Sequence, residues 1–260
     1  ESVMPTAPLL SVVVPLYNAG ALFAPFMTSL LTQTFRDLEI IIVDDGSTDG
    51  SAVKADEYAS RASHIRVIHQ ENGGVSRARN TGMKYIRGKY VTFPDADDIL
   101  EPEMYSTLVA MATADDLDAA QCNAWRTSTP GSKEQVLIPA SRLRSTPVLS
   151  GATWLNRALK THRYLHVVWL GIYRTSLIRQ RDLTFIPGLH HQDILWTPEF
   201  MLNARRVRYN ERPLYSYLSH EQSISHRPRT GLSNVEYQRH YLRICQKLEE
   251  INQQYSRWVN

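Results

Sequence analysis

An α/β fold, with a mostly parallel sheet covered by helices on both faces, is predicted by three features of residues 1–120. Short runs rich in β-branched residues recur, stretches of helical spacing separate them, and polar clusters close the runs at their carboxyl ends. The run at 9–16 (LLSVVVPL) is apolar on both faces, as a strand covered on each side requires. Residues 20–34 place Leu22, Phe26, Leu30 and Leu31 at helical spacing. LEIIIV at 38–43 repeats the buried-strand pattern and runs into Asp44-Asp45-Gly46-Ser47-Thr48-Asp49. Residues 51–61 read as a helix, 65–69 as a third strand, Asn72-Gly73-Gly74 as a turn and 75–86 as a helix. A fourth strand at 90–93 leads into Asp95-Ala96-Asp97-Asp98, and a helix follows at 102–114. Sheets of this kind bind ligands beyond the carboxyl ends of their strands, where all these polar clusters fall.

Beyond residue 125 the alternation breaks. Residues 126–146, rich in Ser, Thr, Pro and basic residues, read as exposed loop with a weak strand at 136–138. Helices are expected at 151–160, 175–181 and 194–203, and 164–173 reads as strand or loop. Tyr237, Tyr241, Ile244, Leu248, Ile251 and Tyr255 give 233–258 an amphipathic helical pattern. That pattern runs to the end of the sequence and predicts that the helix continues past it. The expected division is a ligand-binding half at 1–124, a second half at 125–232 and a helical segment at 233–260.

Composition narrows the function classes. A chain of 260 residues, 43% hydrophobic and 21% charged, can bury a sizeable core. A net charge of +3 gives no basis for nucleic-acid binding. Cys122 and Cys245 lack metal-ligand spacing and suit free thiols in a reducing compartment. ESVMPTAPLL has no basic segment followed by an apolar one, so no signal peptide is expected. No run approaches the ~18 apolar residues of a membrane span.

The acidic clusters carry the chemistry. Asp95-Ala96-Asp97-Asp98 crowds carboxylates that repel one another unless a cation neutralises them. Hard oxygen donors suit Mg²⁺ or Mn²⁺, although a solvated turn before a helix uses the same residues. Asp44–Asp49 suits a helix cap, yet a second acidic cluster at the same rim adds repulsion that a cation or ligand donors would relieve. Pro15, Tyr17 and Asn18 bring an aromatic face and an amide to that rim. Arg77 and Arg79 follow the glycine turn; their guanidinium forks match phosphate oxygens, or they are exposed helix residues. Asp193, in His190-His191-Gln192-Asp193, fits either a general base or a helix cap. A lone histidine such as His220 is more often structural than a ligand, and Trp169 and Trp196 suit core packing better than sugar stacking.

The ordered series SVVVPLYNAG, LEIIIVDDGSTDGS, HQENGGVSRARNTG and GKYVTFPDADD resembles the inverting glycosyltransferases of family 2, which have the GT-A fold. This resemblance is dense over residues 9–114, and GLHHQDILWTPEF and YSYLSHEQSIS are similar to the family's less regular acceptor half. It implies a Rossmann-like donor sheet, an acceptor-side α/β extension and a C-terminal helix. Pro15, Tyr17, Asn18, Asp45, Arg77, Asp95 and Ala96 would surround a UDP-sugar. Asp97 would be the principal ligand of Mn²⁺ or Mg²⁺, with His220 completing the shell. Asp193 would be the base, although Gln192 departs from the acidic residue the family carries just before it. DLDAAQCNAW, RLRSTPVL and HVVWLGIYR look closer still to bacterial enzymes that add glucuronic acid to a heptose of the lipopolysaccharide core.

On that analogy the acceptor is a saccharide or glycolipid, and an anionic sugar needs a cation from Arg126, Arg163, Arg174 or an acceptor-half histidine. Arg205, Arg206, Arg208, Arg212, Arg227, Arg229, Arg239 and Arg243 suggest attraction to an anionic membrane surface, with a solvated helix face as the equal alternative. The expected location is cytoplasmic and peripheral, at the inner face of the membrane. Two rivals stand beside this reading. A nucleotidyltransferase would carry a Gly-rich, Lys-bearing phosphate loop, which PLYNAGALF lacks. A non-catalytic nucleotide-sugar binding module has no use for Asp95, Asp97 and Asp193 together.

Overall fold

The computed structural model describes residues 6–161, 167–188 and 193–219, and isolated helical positions between 239 and 253. One sheet organises the described residues. Strands β1 (Leu10–Leu16), β2 (Leu38–Asp44), β3 (Ile65–His69) and β4 (Tyr90–Thr92) run parallel in the order β3-β2-β1-β4. Every residue of β2 is buried, including Glu39, whose Oε2 accepts from Ser11 Oγ at 2.6 Å and from the Arg87 amide at 2.7 Å. Helices α1 (Phe23–Leu31), α2 (Ser51–Arg61) and α3 (Val75–Met83) connect these strands, and α4 (Met104–Ala114) follows β5 (Ile99–Leu100). Helix α1 buries Phe23, Phe26, Met27 and Leu30, the stripe its spacing predicts. It is shorter than the expected 20–34, because Gly20–Leu22 form a separate 3-10 turn.

The sheet continues past β4 through two long strands that the sequence pattern does not announce, Ala119–Thr127 and Val207–Leu218, and two short ones that overlap the expected 136–138 and 164–173. β6 (Ala119–Thr127), β8 (Gly171–Arg174) and β9 (Val207–Leu218) extend it in the order β4-β8-β6-β9-β5, and the short β7 (Gln135–Val136) pairs with β6. β8 is antiparallel to both β4 and β6, whereas β6 and β9 are parallel. α5 (Gly151–Lys160), α6 (Thr175–Gln180) and α7 (Asp193–Asn203) cover this half. Helix α5 has the expected bounds, and α6 and α7 lie within one residue of theirs.

Polar residues inside β6 are tolerated because each meets a partner. Asn123 Oδ1 accepts from the amides of Ala124 (2.9 Å) and Ile138 (3.1 Å), and its Nδ2 donates to the Ile138 carbonyl at 2.8 Å. Gln121 Oε1 accepts from Trp154 Nε1 at 2.8 Å. The β6–β9 register is irregular where Asn123 faces Pro213, a place for a residue that cannot donate to the ladder. Cys122 is a buried free thiol, and burial pushes it up to about 12; Cys245 lies outside the described residues. No helix among the described residues is long and apolar enough to cross a membrane.

Candidate active site

The carboxyl ends of β1, β2 and β4 meet at one rim, because the three strands are neighbours and parallel. After β1, the chain turns through Tyr17 and Asn18. Tyr17 is 54% exposed, an aromatic ring with no packing role to explain it. Asn18 has φ +48° and holds the loop after β2: its Oδ1 accepts from Thr48 N at 2.7 Å, and its own amide donates to Ser47 Oγ at 3.1 Å. Its side-chain amide is therefore a joint between two rim loops. Asp49 accepts from the amides of Gly20 (3.0 Å) and Ser51 (3.0 Å); the Ser51 side chain first, and these amides behind it, hold its carboxyl below the usual range.

Asp45 is buried and organises the next loop. Its Oδ1 accepts from Gln70 Nε2 (2.8 Å) and Gly73 N (2.9 Å), and its Oδ2 from Gly74 N (2.8 Å). A carboxylate so held keeps room at Oδ2 for one further donor. Gly46, at φ +78°, allows the close approach: a Cβ there would lie 2.8 Å from Asn72 N. Behind it, Asp44 Oδ2 pairs with His69 Nδ1 at 2.8 Å, while His69 Nε2 meets Asp56 at 2.8 Å. These two carboxylates, Asp44 first, raise the imidazole above its ordinary value.

The acidic turn after β4 brings Asp95, Asp97 and Asp98 oxygens within 4.8 Å of one another. They are not equivalent. Asp98 is buried; its Oδ2 accepts from the Tyr215 hydroxyl at 2.5 Å and its Oδ1 from Leu218 N at 2.9 Å. Burial, and behind it the charges of Asp97 and Asp95, raise its carboxyl well above the usual range. Asp95 and Asp97 are only partly buried and face the rim with oxygen donors, the ligand type a hard divalent cation takes. Ala96 is buried beneath the turn.

The two arginines of α3 exchange their expected importance. Arg77 is exposed and lies over Gly73, where an added Cβ would meet its Cδ. Arg79 is buried, with Nη2 3.4 Å from Asp95 Oδ1 and its guanidinium 5.1 Å from the centre of the Phe185 ring. Asn80, next in sequence, exchanges two hydrogen bonds with the Phe185 backbone, at 2.7 and 2.9 Å. That strap leads toward α7, whose first residue is Asp193. The Asp193 side chain lies outside the described residues, as do His190, His191, Gln192, His220 and Arg163.

Two further expectations are decided by position. Arg174 does not reach the rim: its Nε meets Asp118 at 2.9 Å and its Nη2 meets Asp116 at 2.9 Å. It is also opposite Tyr90, at the amino end of β4, so it is corrected from sugar partner to structural ion pair. Arg126, near the carboxyl end of β6, is exposed and donates to Ser219 Oγ at 3.3 Å. Trp169 and Trp196 are both buried in aromatic clusters, Trp169 against Tyr215 and Tyr217, and Trp196 against Phe93, Phe185 and Phe200. Tyr215, Gln70 and the amides of Gly73 and Gly74 are the rim-building groups that sequence reasoning missed. The glycines were visible as a turn; nothing near Asp95 in sequence points to Tyr215.

Fold and rim together define an α/β protein whose parallel strands end in polar loops and an acidic, cation-compatible turn. Glycosyl transferase family 2 matches residues 11–180 of this chain. The uncharacterized glycosyltransferase YibD of Escherichia coli K12 is 52% identical over 248 residues, covering 95% of this chain and 72% of its own. The uncharacterized glycosyltransferase EpsJ of Bacillus subtilis is 34% identical over 237 residues, covering 90% of this chain and 68% of its own. A crystal structure of S. aureus TarS 1-349 in complex with UDP-GlcNAc superposes with a TM-score of 0.71 at 25% identity. That match covers 85% of this chain but only 62% of the TarS chain, so this chain spans less than two thirds of it. The mannosyltransferase PcManGT from Pyrobaculum calidifontis, solved with GDP-Man and Mn²⁺, shares the fold at 17% identity and a TM-score of 0.60. The chain belongs to glycosyl transferase family 2, a family of transferase enzymes, and has a GT-A type of fold.

Proposed function

We propose that the protein is an inverting, metal-assisted glycosyltransferase that moves a sugar from a UDP-sugar to a saccharide acceptor. The observation that carries this reading is one rim holding the exposed Tyr17 ring, the Asp45-organised amide loop and the Asp95 and Asp97 carboxylates. The TarS complex with UDP-GlcNAc supports a uridine diphosphate donor. Tyr17 lies against the uracil, and Asp45 Oδ2 accepts from the base imino N–H. Pro15, Asn18, Arg77 and Ala96 line the donor side.

Asp95 and Asp97, with His220, would hold Mn²⁺ or Mg²⁺; the carboxylate geometry of the turn fits such a cation. Bound there, the cation supplies neutralisation of charge on the departing diphosphate. Asp193 takes the proton of the acceptor hydroxyl as that oxygen bonds to the anomeric carbon. Attack comes from the face opposite the diphosphate, whose bond to the anomeric carbon breaks, so configuration inverts. Residues 1–124 form the donor half, 125–232 the acceptor half with the base, and 233–260 a helical segment.

The finer resemblance supports glucuronic acid as the sugar, a lipopolysaccharide core heptose as acceptor, and action at the inner face of the cytoplasmic membrane. Arg126 is then our choice for the sugar carboxylate, because Arg174 is engaged beside the amino end of β4, at the rim opposite the acidic turn. A panel of UDP-sugars, read by thermal shift with and without Mn²⁺ and by UDP release, tests the reading. The expected result is metal-dependent stabilisation and slow UDP release, both lost in Asp97→Ala. If neither UDP nor any UDP-sugar shifts the melting temperature under either condition, the proposal fails.

A further inference from the structure

We propose that Tyr215 is a positioning residue that holds the Asp95–Asp98 turn in the shape that offers Asp95 and Asp97 to a divalent cation. This inference rests on the metal-assisted reading above. Tyr215 belongs to β9, in the other half of the sheet and 120 residues beyond Asp95. It is fully buried, and its hydroxyl acts in two directions: it accepts from Asp95 N–H at 3.1 Å and donates to Asp98 Oδ2 at 2.5 Å. Leu218 N–H, three residues on, donates to Asp98 Oδ1 at 2.9 Å. The turn adds one bond of its own, Asp98 N–H to Asp95 carbonyl at 3.2 Å.

Both Asp98 oxygens are therefore engaged by β9, which makes Asp98 the anchor of the turn rather than one of its rim-facing donors. The ring that carries the hydroxyl is itself fixed. Trp169 stacks on it with centroids 4.3 Å apart and planes 15° apart, and β5 pairs Leu100 with Tyr215 directly after the turn. Removing one oxygen atom would leave the part-buried Asp95 amide and the buried Asp98 Oδ2 without their shared partner at the same moment. Groups that fix the orientation of metal ligands without touching the metal typically alter its affinity about 10–100-fold.

Tyr215→Phe keeps the ring and its stack and removes only the hydroxyl. UDP binding by calorimetry, across a Mn²⁺ series and again in excess chelator, separates positioning from packing. The expected result is a rise of about tenfold or more in the Mn²⁺ concentration for half-maximal enhancement of UDP binding, with chelator-condition binding unchanged. Asp98→Asn alters the same anchor while keeping its shape and must move the same quantity in the same direction, which covers the case of a Tyr215 variant that does not fold. A Tyr215→Phe protein with a lowered melting temperature but an unaltered Mn²⁺ requirement would overturn the inference. No Mn²⁺ effect in the unmutated protein would overturn the metal-assisted reading itself and this inference with it.

Discussion

Residues 10–114 and residues 119–219 each build about half of one sheet, and they do so by opposite means. In the first, β1 and β2 are mainly apolar and covered on both faces, the part-exposed β3 closes the edge, the strands follow by simple crossovers, and the acidic clusters lie at or beyond strand ends. In the second, β6 and β9 carry Gln121, Asn123 and Asn210 within their length and settle them individually. The first half therefore produces a row of loops at one rim. The second produces restraint, delivered from a distance: Tyr215 and Leu218 grip a turn more than 100 residues earlier in the chain. The acidic turn presented by the first half is thus anchored from the second, whereas the Asp45 loop is held from within the first.

Four perturbations probe the two halves. The largest effect is expected for Asp193→Asn, which should reduce turnover by at least about 100-fold, the lower end for a general base. UDP and Mn²⁺ binding should be unchanged, as measured by calorimetry beside steady-state rates. A large loss of donor binding in this variant would mean that the two halves do not separate binding from chemistry.

Tyr17→Ala should come next. It removes a ring that is 54% exposed, so the melting temperature should hold while UDP binding weakens by about 1–3 kcal/mol, the range for base stacking. Unchanged UDP affinity would remove Tyr17 from the donor surface. The contrasting experiment in the second half is Trp154→Phe, which keeps a ring but deletes the hydrogen bond to Gln121. Its expected cost is about 1–3 kcal/mol of stability, because Gln121 Oε1 is left buried and unpaired, with donor affinity intact.

The smallest effect concerns pH. The folded value of His69 is raised, so the stabilisation from its bonds to Asp44 and Asp56 is complete below the ordinary imidazole value of about 6.5. It is lost as pH rises through the elevated folded value. The imidazole is 45% exposed and screened by solvent, so the shift should be small. The melting-temperature gap between wild type and His69→Gln should narrow on going from mildly acid to alkaline buffer; a gap that widened would reverse the assignment.

What could be read from the sequence follows the same boundary. LLSVVVPL and LEIIIV disclose their strands because burial on both faces leaves a composition that solvent-facing segments do not have. β6, reading AAQCNAWRT, and β9, reading VRYNERPLYSYL, do not, because their polar atoms are satisfied by Trp154, Ile138 and Asp98. Those partners are remote in sequence, and no local pattern records them. The rim shows the same limit: Tyr17, Asp45 and Asp97 were visible as strand-end residues, and the priority of Arg79 over Arg77 was not. Both arginines lie on one short helix, and only the packing of Phe185 and Asp95 decides which is inside.

The parallel pairing of β6 with β9 has one more consequence. Strands that run the same way side by side can be joined only by a lengthy return path. Here that path is the whole stretch between Thr127 and Val207. Both of its ends are clamped by the ladder, and between them it supplies Trp169 against the Tyr215 ring and Phe185 against Arg79, so the return path itself buttresses the rim from below.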